Sequence, residues 1–193
     1  MPHLRSMLLT AVLFGAGPAL GHDGGGIGGL ASGLLHPISG FDHVVAMVAV
    51  GLWGAILGGT AVWLLPVVFP LVMALGGAAG VTGVPIPGIE VGIALSGIVL
   101  GLMVVLSVRP PLWAAAAIVG VFAVFHGHAH GAELPAAADP AVYAIGFVVA
   151  TGLLHLGGIA LGLLGNWPAG RAAVRLMGGM IALAGGAFLT GMA

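Results

Sequence analysis

The chain has 193 residues, 60% of them hydrophobic and 5% charged, with a mean hydropathy of +1.24 and a formal net charge of −1. Soluble domains carry about 25% charged residues, so this composition points to a membrane protein, and four arginines without a lysine exclude a polybasic nucleic-acid surface. The absence of cysteine excludes disulfides and thiolate metal ligands.

The first 26 residues read MPHLRSMLLTAVLFGAGPALGHDGGG, with a single Arg5, an apolar stretch from Met7 to Phe14, and small residues Ala19 and Gly21 where a signal peptidase requires them. Residues 1–21 are therefore expected to be a cleaved secretory signal, with an uncleaved anchor as the alternative. Cleavage after Gly21 leaves His22 at the mature amino terminus, where amine and imidazole together could chelate a metal; a plain disordered end is the competing reading. The Gly-rich HDGGGIGG that follows reads as a flexible exported tail.

Six apolar segments come next, at roughly 37–57, 61–80, 90–108, 112–129, 140–163 and 173–191. Each is near the ~20 residues that cross a ~30 Å hydrocarbon core as a helix, and none alternates as a strand would. The expected fold is an all-α integral membrane protein, with residues 22–193 forming a bundle of six transmembrane helices. The short connections leave no room for a nucleotide-driven motor. If residue 22 faces outward, Arg5, Arg109, Arg171 and Arg175 all lie on the cytoplasmic side, while Asp23, Glu90, Glu133 and Asp139 lie outside. Trp53, Trp63, Trp113 and Trp167 cluster at the expected inner boundary, as anchoring indoles do. The expected location is the bacterial inner membrane, with the mature N-terminus and the C-terminus both periplasmic. Gly54/Gly58, Gly76/Gly80, Gly97/Gly101 and Gly158/Gly162 are spaced for close helix packing, and Pro66 and Pro70 are expected to bend the second helix.

Two histidine-rich stretches interrupt this pattern. In HPISGFDH, residues 36–43, Pro37 suits the first turn of a helix, which would put His36, Ser39, Gly40 and His43 on one stripe, with His43 roughly 10 Å below His36. A carboxylate facing lipid is costly, so Asp42 is expected to face the interior and to meet a partner from the second cluster. FHGHAHGAE, residues 125–133, ends the fourth helix at the same outer side and places His126, His130 and Glu133 in an i, i+4, i+7 row. Imidazoles and carboxylates without thiols suit Ni²⁺, Co²⁺, Zn²⁺ or Cu²⁺ better than Mg²⁺ or Ca²⁺. His128 points away from His126 and is expected to be peripheral, and His155, deeper in the fifth helix, is either a relay or a structural histidine.

Both stretches resemble the paired signatures of the HupE/UreJ family, small membrane proteins regarded as nickel or cobalt permeases and associated with hydrogenase or urease maturation. His, five residues, Asp-His and Phe-His-Gly-x-Ala-His-Gly-x-Glu both match without a gap. The resemblance implies His36, Asp42, His43, His126, His130 and Glu133 as metal-handling residues and Ni²⁺ or Co²⁺ as cargo; the residues alone leave the ion open, Zn²⁺ included. It implies no prosthetic group, no enzyme and no nucleotide or nucleic-acid partner. Two other functions compete, a membrane sensor or accessory protein that binds metal without moving it, and an intramembrane metallohydrolase with Asp42 or Glu133 as base.

Overall fold

Where lipid replaces water, every backbone N–H and C=O needs a partner within its own segment, and the apolar runs satisfy this as helices. The computed structural model describes residues 27–134 and 139–192, all of whose regular structure is helical. The helices are α1 (Ile27–Ser39), α2 (Phe41–Leu57), α3 (Ala61–Val81), α4 (Ile89–Val105), α5 (Leu112–Ala132), α6 (Pro140–Gly162) and α7 (Pro168–Leu189), with a 3₁₀ turn at Leu163–Asn166 before α7. The expected signal at 1–21 and His22 lie outside the described residues.

The largest departure from expectation is at the first histidine stretch. The helix expected at 37–57 is two helices whose axes differ by 80°, joined at Gly40. Pro37 is buried inside α1 instead of opening a helix. There it offers no N–H to the Gly33 carbonyl one turn back, and α1 ends two residues later. The end of the expected tail, residues 27–29, is also helix, and in the α1 that it opens Leu30, Gly33 and Leu34 meet Gly146 of α6 backbone to backbone. Gly40 itself is extended (φ −92°, ψ 110°) and accepts from Val44 N–H at 3.1 Å to start α2. A Cβ there would lie 2.9 Å from Asp42 Oδ1 and 3.0 Å from His43 Nδ1, so the bend leaves room only for hydrogen.

α3 packs on α5, α4 on α7, and α1 and α2 both on α6. Small residues line these seams, because without a hydrophobic drive between helices in lipid, close van der Waals contact holds them together. Gly76/Gly80, Gly97/Gly101 and Gly158/Gly162 pack as their spacing predicts. Gly58 does not: with φ +72° and ψ −172° it ends α2 as its C-cap, its N–H donating to Gly54 O. The second motif turns out to have two faces. Gly127 and Gly131 lie against the Met73 and Gly77 carbonyl oxygens of α3, leaving His126 and His130 to another face of α5.

Among the described residues four helices, α3, α5, α6 and α7, are long and apolar enough to cross a bilayer, and the α1–α2 pair, bent by 80°, passes the same test only when taken together as one span. α4 has 17 residues and is shorter. The chain is thus a multi-pass, all-helical membrane protein. α3 is one helix through Pro66 and Pro70, so the sharp break falls at Gly40 and not at these prolines. Trp63, Trp113 and Trp167 are exposed as anchors should be, but Trp53 is fully buried and its indole N–H donates to Val108 O at 2.9 Å, tying α2 to the α4–α5 connection. Arg109, Arg171 and Arg175 line one crevice at the C-terminal end of α2, the end away from the histidines.

The seams give a paired stability test. Gly131→Val drives a side chain into the Gly77 carbonyl and is expected to destabilise by about 1–3 kcal/mol or more. Gly157→Ala, whose Cβ meets nothing within 4 Å, is expected to be neutral or stabilising by up to about 1 kcal/mol. Thermal unfolding of the two variants in detergent checks both.

Candidate metal site

The bend at Gly40, the C-terminal turns of α5 and the first turns of α6 meet at one end of the bundle. There the histidines of both motifs form a file. His36 and His130 ring centroids are 4.7 Å apart, His130 and His43 4.1 Å, and His43 and His126 4.7 Å. Glu133, the C-cap of α5, closes the outer end with Oε2 3.4 Å from His36 Nε2. One ligand atom from each of His36, His130 and Glu133 lies within 4.8 Å of the other two, a spacing that could hold a metal ion. Exposure falls along the file, from 63% for Glu133 and 25% for His36 to 0% for His126. Tyr143 and Phe147 of α6 wall it, with Phe147 4.3 Å from His130 and Tyr143 5.8 Å from His36.

The single stripe expected for His36, Ser39, Gly40 and His43 does not form, because the bend turns α2 away from α1. Ser39 instead donates to His36 O at 2.8 Å, and His130 of α5 is what links His36 to His43. Asp42 does find a partner, but it is its own neighbour and not a residue of the second cluster. The Asp42 carboxylate accepts from His43 Nδ1–H and from His43 backbone N–H, both at 2.9 Å.

These bonds determine which ring nitrogens are available. With Nδ1 donating to Asp42, His43 carries its lone pair on Nε2, which is buried and without a partner. On His126 the roles are reversed. Ser96 Oγ–H donates to Ile93 O at 2.6 Å, so Ser96 can only accept from His126 Nε2–H, at 2.9 Å; the lone pair is on Nδ1, again buried and unpartnered. Both nitrogens of His130 are buried without a partner. Buried polar atoms are nearly always satisfied. His43, His126 and His130 thus each present an unpartnered nitrogen, a borderline donor suited to a cation, and carboxylate or hydroxyl partners on the far nitrogen are the usual way such rings are oriented.

The other sequence candidates lie apart from the file. Half-buried His128 donates Nε2–H to Val84 O at 2.8 Å in the α3–α4 connection. Asp139 caps α6, accepting from Ala141 and Val142 N–H at 2.9 and 3.1 Å. Glu90 is exposed in the first turn of α4. His155 is fully buried on α6, with the Phe69 ring centroid 5.4 Å from that of its own ring and 5.6 Å from that of His126. Ser96, Tyr143, Phe147 and Phe69 were not anticipated. Of these only Ser96 carried a signal, as a hydroxyl in the middle of a helix that is apolar beyond Glu90 in its first turn.

Residues 9–188 match the family described as HupE / UreJ protein. The chain belongs to this family. A curated relative, Protein HupE of Rhizobium leguminosarum bv. viciae, is 45% identical over 188 residues, covering 96% of this chain and 98% of its own length. No solved structure matches the chain. HupE/UreJ proteins form a transporter and accessory family associated with nickel and cobalt handling, in keeping with what the two motifs implied.

The Ser96–His126 bond yields a direct test. Ser96→Ala leaves His126 Nε2–H buried and unpaired and is expected to cost about 1–3 kcal/mol. A double-mutant cycle with His126→Phe should show coupling of about 0.5–3 kcal/mol in detergent unfolding.

Proposed function

We propose that the protein is a permease that carries Ni²⁺ or Co²⁺ from the periplasm to the cytoplasm across the bacterial inner membrane, supplying hydrogenase or urease maturation. In this reading residues 1–21 are a cleaved signal, and residues 22–193 are the permease. The bent α1–α2 pair counts as one span and α4 as another, giving six, with both termini periplasmic. The observation that carries the reading is the file itself: Glu133, His36, His130, His43 and His126 run from exposed to fully buried, with unpartnered nitrogens along the way.

The chemistry follows from that order. A hydrated ion meets Glu133 at the mouth, and exchanges water for His36, His130 and Glu133. It then moves to His43, whose ring is oriented by the Asp42 carboxylate, and to His126, oriented by Ser96. Sites in series that each hold weakly let an ion leave as well as arrive, whereas one closed cage would trap it. Neutral imidazole with few carboxylates favours borderline divalent ions, Zn²⁺ among them, over Mg²⁺ and Ca²⁺. Protons compete for the same nitrogens, so acidifying the outside should slow uptake.

Uptake by purified protein in liposomes, with Ni²⁺, Co²⁺ and Zn²⁺ offered separately, tests this. His36→Ala and Glu133→Ala are expected to reduce nickel or cobalt flux by about tenfold or more, and Asp42→Asn to weaken metal affinity by about 10–100-fold. Binding without flux in the wild type would make the protein a sensor or accessory and overturn the permease.

A further inference from the structure

Below the file, α6 carries a second set of buried polar atoms that the path described so far does not use. Thr151 and His155 are one helical turn apart, so their side chains share a face. Both are 0% exposed. Thr151 Oγ1 and both ring nitrogens of His155 are buried without a hydrogen-bond partner. Three polar atoms on one turn of a membrane helix without a partner from the protein are costly, since no side chain or backbone group offsets their desolvation. Nor is the placement loose: the His155 backbone is pressed against Gly51 of α2, and Gly158 against Val48, so α6 cannot rotate to relieve these groups without separating the seam.

The Phe69 ring of α3 connects this turn to the file. Its centroid is 5.6 Å from that of His126 and 5.4 Å from that of His155, the latter edge-on at 81°. Phe69 is itself fully buried. Phe69 is thus an apolar neighbour common to both imidazoles, and the π face of such a ring attracts a cation.

We infer that Thr151 and His155 form a second, deeper station for a borderline divalent cation, separated from the His36–His126 file by the Phe69 ring. The inference rests on the permease reading for its role in transport, but not for the existence of the site. A cation held at His126 crosses Phe69 and is taken up by a His155 nitrogen and the Thr151 hydroxyl oxygen. Both are neutral donors, so the ion is held weakly and can leave.

The test is Ni²⁺ stoichiometry of the purified full chain by equilibrium dialysis, run in parallel with liposome uptake. Wild type is expected to hold about two ions per chain at saturation and His155→Phe about one, with uptake falling by about tenfold. Thr151→Val, which keeps the shape and removes only the oxygen, is expected to weaken the second ion selectively and guards against a misfolded His155 variant. His36→Ala should affect the first ion and spare the second. If His155→Phe and Thr151→Val keep wild-type stoichiometry and uptake, the deep station does not exist, whether or not the protein transports. If the wild type shows no flux but loses one ion with His155→Phe, the station stands and the permease reading fails.

Discussion

Backbone contact at the glycine seams is the constraint on which the rest depends. Imidazoles from α1, α2 and α5 stand 4.1–4.7 Å from their neighbours in the file because α1 and α2 are placed by close approach to α6, and α5 by close approach to α3. Gly127 and Gly131 against α3, Gly51 and Gly158 between α2 and α6, and Gly33 and Gly146 between α1 and α6 supply that approach. In the second motif this explains the alternation of residues. The histidines at 126 and 130 face the file, and each following glycine faces a carbonyl of α3, so one short stretch both builds the site and locks the helix that carries it.

The second constraint is electrostatic. An apolar bundle penalises any polar atom left without a partner, and the protein meets this penalty halfway at two rings. Asp42 satisfies Nδ1 of His43 and Ser96 satisfies Nε2 of His126, which fixes each tautomer and directs the other nitrogen inward as an acceptor. A purely structural histidine would be expected to satisfy both. The unsatisfied half is what a permeating cation would complete, and it explains why so many histidines are tolerated where lipid-facing helices carry none.

Much of this was legible from residue type and spacing. The helices after the first follow from apolar run length, and the convergence of the two motifs at one end follows from counting crossings. The i, i+4 rule correctly put His126 and His130 together and His128 elsewhere. The first motif departs from its expected form because proline favours the first turn of a helix, whereas Pro37 lies inside α1, a helix held by the packing of Leu30, Gly33 and Leu34 on α6. The 80° turn at Gly40 then invalidated every angle computed along one continuous helix. Ser96, Phe69 and Phe147 reach the file from α4, α3 and α6, and no periodicity within one segment predicts a contact across three. Trp53 fits a boundary anchor by position alone, yet Val108 O claims its indole inside the bundle.

The proposed function requires that these imidazoles coordinate the metal ion directly. X-ray absorption at the nickel edge, on protein loaded with one equivalent of Ni²⁺ in lipid, addresses it most directly. The account predicts nitrogen and oxygen neighbours with the outer-shell scattering of imidazole rings and no sulfur, and loss of part of that imidazole scattering in His130→Ala. A shell of oxygen alone, unchanged by removal of His130, would contradict it.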